Sequence, residues 1–212
     1  MTTNKLKLND GKSEFLFLHS QFNHSLAPPS ISVGKESISP SNQARNLGVI
    51  FDDTMSFSPH VNAIVKGAFY HVRNIFKIRK YISKGTAEIL IHSFVSSKLD
   101  FCNSLLYGAQ KRDIDKLQSL QNAAARIIAG LKKHDHISGT LCDLHWPPVE
   151  ERIVFKLSLI TFKTLNGSGL SYLQDILKFY RQARALRSSK DYLRLEEPTY
   201  RMKSYGQRAF SV

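Results

Sequence analysis

Apolar positions along this chain change their period near residue 57. Before that point they come in short runs. Residues 14–18, EFLFL, follow the turn-prone Asn9-Asp10-Gly11 and predict a short buried strand. Residues 20–46 are polar and turn-rich, with Pro28-Pro29, Gly34 and Pro40, and SISVG is a candidate short strand among them. NLGVIF, entered through Gly48, predicts a second strand.

Beyond residue 57 the spacing becomes helical. Val61, Ile64, Val65, Ala68, Val72, Ile75 and Phe76 form one apolar stripe. Ser58 is the expected N-cap and Pro59 suits the first helical position. Lys66, Arg73, Lys77 and Lys80 fall mostly off the stripe, so this helix should expose a basic side. Ser83 is the expected cap of a second helix, with Ala87, Leu90, Ile91, Phe94, Val95 and Lys98 on one face. LDFCNSLLYG either continues that helix or breaks to a further turn ending near Gly108. A third helix is expected over 112–129, where Ile114, Leu117, Gln121, Ala124 and Ile128 repeat at helical spacing, with Gly130 as its stop. KKHDHISG reads as a loop. LHWPPVEERIVFKLSLITFKTLNG opens on a Pro-Pro break and predicts an apolar helix, with Phe155, Leu159 and Phe162 marking its buried side. A short helix over 171–180 completes the series. The expected fold class is α+β, mostly α: short strands over 1–55, a helical unit over 56–180, and a basic segment over 181–212. There is no repeat and no low-complexity stretch. The apolar ending SYGQRAFSV reads as truncation of a longer frame.

Composition narrows the classes. At 212 residues, 42% hydrophobic and 22% charged, the chain is one or two domains able to bury a core. No apolar run reaches 18 residues, so no transmembrane helix is expected. The start lacks the features of a signal peptide. Two cysteines make no disulfide framework, which favours a reducing, intracellular location, nuclear or cytoplasmic. The net charge of +13, with a pI near 9.8, favours a polyanionic partner, chiefly nucleic acid or an anionic membrane. The charge is clustered. No acid lies between Asp53 and Glu88, where Lys66, Arg73, Lys77, Arg79, Lys80 and Lys84 fall. A surface that tracks phosphates suits such clustering, and Lys66, Arg73, Lys77, Lys80 and Lys84 are the candidate contacts.

Two side-chain sets invite catalytic or metal chemistry. Adjacent aspartates such as Asp52-Asp53 serve two-metal phosphoryl transfer when they sit at the tip of a β-hairpin. Here the following TMSFSPHV turns into a helix, and the earlier acids Asp10, Glu14 and Glu36 sit in no apolar strand. The pair is expected to end a strand and favour the coming helix N-terminus. The other set is His134, His136, Cys142 and His145, spaced H-x-H-x5-C-x2-H. It lacks the paired cysteines of structural zinc sites and is expected to be a solvated loop, with Cys142 and His145 beside Trp146. No G-x-S-x-G elbow and no phosphate-cradling glycine loop is present.

Six stretches in order carry a resemblance: MTTNKLKLNDGKSEFLFL, NLGVIFDDTMSFSPHV, LDFCNSLLYG, LQNAAARIIAG, LHWPPVEERIVFKLSLITFKTLNG and RMKSYGQRAFSV. Together they resemble the C-terminal part of reverse transcriptases from LINE-type, non-LTR retrotransposons, over nearly the whole chain. The resemblance implies the end of a polymerase palm followed by a helical thumb. It implies that Lys12 matches the palm lysine near the incoming nucleotide's phosphates, a candidate proton donor to pyrophosphate. Leu47, Gly48, Val49, Ile50, Phe51 and Asp52 would form a primer-grip-like hairpin, and 58–130 would grip an RNA/DNA template–primer duplex. The family's metal-binding Tyr-x-Asp-Asp hairpin would lie upstream of Met1, so this chain would hold no magnesium of its own and would not polymerise alone. One departure is Pro148, where the family usually has leucine before proline. The alternatives are a host-adopted interaction module, self-associating through open edges of EFLFL and LGVIF, or a non-functional transposon-derived product.

Overall fold

A computed structural model describes residues 9–19, 30–34, 36–179, 195, 196 and 199. The protein is α+β and mostly α. The strands come first, as three two-stranded sheets. β1 (Phe15–Leu16) runs parallel to β4 (Pro40–Ser41), and β2 (Ile31–Val33) is antiparallel to β3 (Glu36–Ile38). β5 (Gln43–Asn46) and β6 (Val49–Asp52) form a hairpin with Arg45 opposite Ile50 and Asn46 opposite Val49. Leu47 and Gly48 are its two-residue turn. Both have positive φ (48° and 88°), the backbone that matches the twist of a tight hairpin. An added Cβ at Gly48 would meet the Phe101 ring at 3.4 Å, so the positive φ, not crowding, is what favours glycine there. NLGVIF is thus a turn followed by one strand. Its partner, QARN, is polar and mostly exposed, so no alternating apolar signal marks it.

The helices are α1 (Ser58–Ile78), α2 (Lys84–Ile91), α3 (Ser97–Asp100), α4 (Lys111–Ala129), α5 (Ser138–Asp143), α6 (Val149–Leu165) and α7 (Ser171–Ile176). α1 buries Val61, Ile64, Ala68, Val72 and Ile75, as their spacing predicts, but Phe76 is 68% exposed. Phe76 is one residue past Ile75 and is carried about 100° around the helix, off the buried face. α2 starts as expected, with Ser83 Oγ accepting from the Thr86 N–H at 3.1 Å. It then widens through a π-helical turn, His92–Ser96, before α3. The widened turn shifts the register. Ala87, Ile91, Val95 and Leu99 are buried, whereas Phe94 is turned outward onto His71, with the rings stacked at 4.8 Å. Ser93 and Ser97 donate back to the carbonyls of Ile89 and Ser93 across this stretch. Cys102, at φ 51°, breaks the chain into a 3-10 turn, Asn103–Leu106.

α4 is the hub. Ile114, Leu117, Leu120, Ala124 and Ile128 are buried in a core that also takes Val49 from β6, Phe57, Trp146 and Ile153. Strand hairpin and helices therefore share one interior. Two buried polar side chains on α4 hold its neighbours. Asp113 accepts from Ser58 Oγ and from Lys116 Nζ at 2.8 Å, fastening the start of α1. Gln121 donates to the Pro147 carbonyl at 2.8 Å. Gln118 Oε1 accepts the Val149 N–H at 2.9 Å, so the Pro-Pro start of α6 is capped from α4 rather than by its own side chain. Gly130, at φ 70°, ends α4. Arg79 donates to the carbonyls of Ile127 and Ile128, which places a cation at the negative end of the helix. That arginine belongs to the fold, not to the exposed basic surface.

α6 departs most from its pattern. Val149, Ile153 and Thr164 are buried, while Phe155 and Phe162 are 66% and 65% exposed. Two of the three residues expected inside, Phe155 and Phe162, face out, while Leu159 is half-buried. Apolar residues fall on every side of α6, so no single stripe marks the buried face. The shortened last helix ends at Ile176; Tyr180 and most of the basic segment 181–212 lie outside the described residues. Among the described residues no helix is long and apolar enough to cross a membrane.

Candidate nucleic-acid interface

α1 presents Lys66, Tyr70, Arg73 and Lys77 at i, i+4, i+7 and i+11. That spacing is one helical stripe, about 16 Å long at 1.5 Å per residue. It lies opposite the buried stripe, and all four residues are exposed. Among the described residues no carboxylate pairs with Lys66, Arg73 or Lys77, because no acid falls between Asp53 and Glu88 and none approaches from another element. Lys80 continues the track from the 3-10 turn Arg79–Tyr81, its Nζ 4.8 Å from the centre of the Tyr81 ring. Lys84, also exposed, opens α2 one turn further on. Tyr70 and Tyr81 are 63% and 76% exposed. Cations interleaved with open aromatic faces are the arrangement that single strands and duplex ends use for phosphate contact and base stacking.

Beside the start of the helix lies a groove of about 430 Å³, lined by Arg45, Gly48, Ile50, His60, Lys98 and Phe101 among others. Lys98 Nζ rests against the α1 backbone, 3.3 Å from where a Gly67 Cβ would stand. Arg45 and Lys98 were not legible as interface residues. One lies in a polar stretch and the other follows a helical face whose register the π-turn changes.

The primer-grip-like residues divide by burial. Leu47 is 88% exposed at the hairpin tip, and Gly48 and Ile50 line the groove. Val49 and Asp52 are buried, and Phe51 packs edge-on against Phe57 at 5.5 Å. Lys12 is exposed at the end of its own 3-10 turn, away from the groove lining.

Asp52 is occupied with the backbone. Its Oδ1 accepts the Phe57 N–H at 2.7 Å; Oδ2 accepts from Thr54 Oγ1, Ser56 Oγ and the Ser56 N–H. Burial works to raise its pKa, and these four hydrogen bonds outweigh it, holding the carboxyl below its ordinary value of 3.8. The bonds secure a turn in which Met55 and Phe57 both have positive φ, 51° and 60°. Asp52, not Ser58, supplies the side-chain oxygens ahead of α1; the Ser58 hydroxyl is spent on Asp113. Asp53 differs: partly exposed, its carboxylate lies 3.6 Å from His19 Nε2. The histidine–cysteine set is not assembled either. His134, His136, Cys142 and His145 are exposed, and among the described residues no three His, Cys, Asp or Glu side chains are grouped to hold a metal ion.

His60 links the hairpin to α1. It is buried, and its Nδ1 accepts the Ile50 N–H at 3.4 Å. Burial first, and the Arg45 charge second, lower its pKa below 6.5. The unfolded chain takes up a proton that the folded state resists. Stability from this group is complete above pH 6.5 and is lost as pH falls from there towards the lowered folded value. His60→Asn keeps an acceptor and removes the titration, so its melting temperature should be flatter than wild type between pH 6.5 and 5. An unchanged decline in the variant would assign it elsewhere.

No protein-family model matches this chain, and no curated protein or solved structure matches it either.

Proposed function

We propose that this chain binds nucleic acid through the hairpin groove and the exposed stripe of α1, as the end-of-palm and thumb part of a non-LTR retrotransposon reverse transcriptase. The observation that carries it is the stripe itself: Lys66, Arg73 and Lys77, exposed, without carboxylate partners among the described residues, and interleaved with Tyr70. A helix that pays desolvation on one face needs only solubility on the other, and mixed charge serves that better than one sign. A single-signed row serves a polyanion. The order of elements, hairpin then helices, agrees with the six sequence stretches. The preferred ligand is an RNA–DNA template–primer duplex, bound through its backbone and without sequence preference. Polymerisation belongs to the complete parent, whose carboxylates would carry the magnesium ions; this chain alone is a binding part.

Anisotropy titration of labelled RNA–DNA duplexes tests the binding. Unrelated duplex sequences should bind within about threefold of one another, since phosphate contacts carry no sequence information. Strong preference for one sequence would contradict the account. Primer extension by the isolated chain in Mg²⁺ would overturn the fragment assignment.

A second function is favoured by one observation. The outer face of α6 exposes Val154, Phe155, Phe162 and Leu165, and open apolar patches mark contact surfaces. Each two-stranded sheet also leaves strand edges unpaired among the described residues. A protein-interaction module would use them. A stable dimer that dissociates on Phe162→Glu and ignores nucleic acid would select it.

A further inference from the structure

The π-helical turn His92–Ser96 decides where Phe94 goes. At an unbroken helical spacing Phe94 shares the face of Ala87 and Ile91, which are buried. The widened turn keeps Val95 inside and brings Phe94 to the surface, 42% exposed. Such turns are uncommon and concentrate at functional sites. Phe94 has partners there. Its ring stacks on the His71 imidazole of α1, with centroids 4.8 Å apart and planes 13° from parallel. Tyr70, 63% exposed, meets the same imidazole edge-on at 5.4 Å. His71 covers one face of Phe94, so the ring area left open lies away from it. Cations flank the three rings. Lys66 and Arg73 share the Tyr70 stripe, four residues before it and three after. Lys98 follows Phe94 by four residues, and its Nζ lies 3.3 Å from the Cβ position of Gly67, one helical turn before His71. With glycine there, the ammonium has room against the helix. The acids of α2 and α3, Glu88 and Asp100, lie against His92 and Arg152, and among the described residues no carboxylate pairs with Lys98.

We propose that the Phe94–His71 pair stacks an unpaired base of a bound nucleic acid, with Lys98 on that strand's phosphate. This rests on the nucleic-acid function proposed above and narrows its ligand to a duplex carrying a single-stranded extension. A base inside a duplex has both faces taken by its neighbours. An unpaired base is free to leave its strand and continue a stack of protein rings. Stacking needs a π-face and no particular base, so the site tolerates any sequence. The charge around the rings selects a polyanion over an apolar peptide: Lys66, Arg73 and Lys98 carry one sign, and no acid lies between Asp53 and Glu88.

Anisotropy titrations of the full chain compare three labelled RNA–DNA duplexes of one length: blunt, extended by a few unpaired adenosines, and extended by as many abasic residues. The last adds the phosphates without the bases. The adenosine extension should bind about tenfold tighter than the blunt duplex, the gain from one stacked base, and the abasic extension within about threefold of blunt. Phe94→Ala should cut the adenosine advantage to within about threefold and leave blunt-duplex affinity unchanged. Phe94→Leu fills nearly the same space without a flat ring and should lose the advantage equally, which keeps the test decisive if alanine loosens the turn. Phe94→Trp should retain the advantage. Equal binding of blunt and adenosine-extended duplexes, an abasic extension as effective as adenosine, or an advantage that survives Phe94→Leu would overturn the proposal. A wild-type dimer that Phe94→Leu dissociates, with no extension advantage, would assign the ring to a second copy of the chain instead. Blunt-duplex binding without an extension advantage sinks the stacking site alone; a wild type that binds no duplex sinks the interface on α1.

Discussion

Reversing three charges on α1, Lys66→Glu, Arg73→Glu and Lys77→Glu together, is expected to weaken RNA–DNA duplex binding by at least about a hundredfold near 0.15 M salt. Each phosphate neutralised releases counterions worth a slope of about 0.9 in log K against log salt, so three lost contacts remove roughly two decades at that ionic strength. Reversal adds repulsion to the loss. The change should leave the fold intact. All three side chains are exposed, and no ion pair among the described residues depends on them. Thermal melting should therefore shift little, which separates lost binding from lost structure. The same reversal at Lys111 is the control. That lysine lies within 4 Å of Asp115 and Glu150, so its charge is already answered. A triple variant that binds as well as the wild type would show that the stripe is only a solvated face.

The second large effect separates the two adjacent aspartates. Asp52→Ala should destabilise the fold by about 2–4 kcal/mol, because hydrogen bonds to a carboxylate are worth about 1.5–3 kcal/mol each and are not additive. Four donors lose their acceptor, and the turn with Met55 and Phe57 at positive φ loses what holds it. For a chain of this size that is about 5–15 °C in melting temperature. Asp53→Ala should cost below about 1 kcal/mol, since among the described residues its carboxylate pairs with His19 in a partly exposed contact. The pH dependence follows the same logic. Asp52 and Asp113 both have lowered pKa values. For Asp113 burial pushes upward, and hydrogen bonds from Lys116 and Ser58, aided by the charges of Lys116 and Arg112, prevail. Their stabilisation is present above the unfolded value near 3.8 and is lost as pH falls below it. Chemical denaturation of the two single variants at pH 7 measures the difference. Equal costs would mean that Asp52 has no special part in the turn.

How far the sequence exposed this structure depends on where burial is one-sided. α1 and α4 each bury one stripe and expose the rest. Their positions could be read from Val61, Ile64 and Ala68, or from Ile114, Leu117 and Gln121, before any coordinates. Gly130 and Ser83 marked ends because each does a definite backbone job, a left-handed turn and a cap. β5 was hidden because its side chains are polar on both faces, so its pairing is set by the Leu47-Gly48 turn and not by burial. The π-turn at His92–Ser96 was hidden because an extra residue in a turn leaves no compositional mark. α6 was misread for the opposite reason: with apolar residues all round, Phe155 and Phe162 looked as buried as Ile153. At the candidate interface, the lysines and arginines of α1 were legible from charge and period. Lys98 and Arg45 were not, since their position beside that helix is set by tertiary packing. The aspartate pair was legible in outline. That Asp52 ties down Phe57 and Ser56, while Asp53 does not, is visible only in the folded chain.

The most direct measurement is the salt dependence of duplex affinity for the unmodified chain. Log K for an RNA–DNA duplex should fall linearly with log salt, with a slope of about −3 to −4.5, from contacts by three to five of the exposed cations Lys66, Arg73, Lys77, Lys80 and Lys84. An affinity that stays level from low to high salt would contradict a phosphate-tracking surface, whatever else the chain binds.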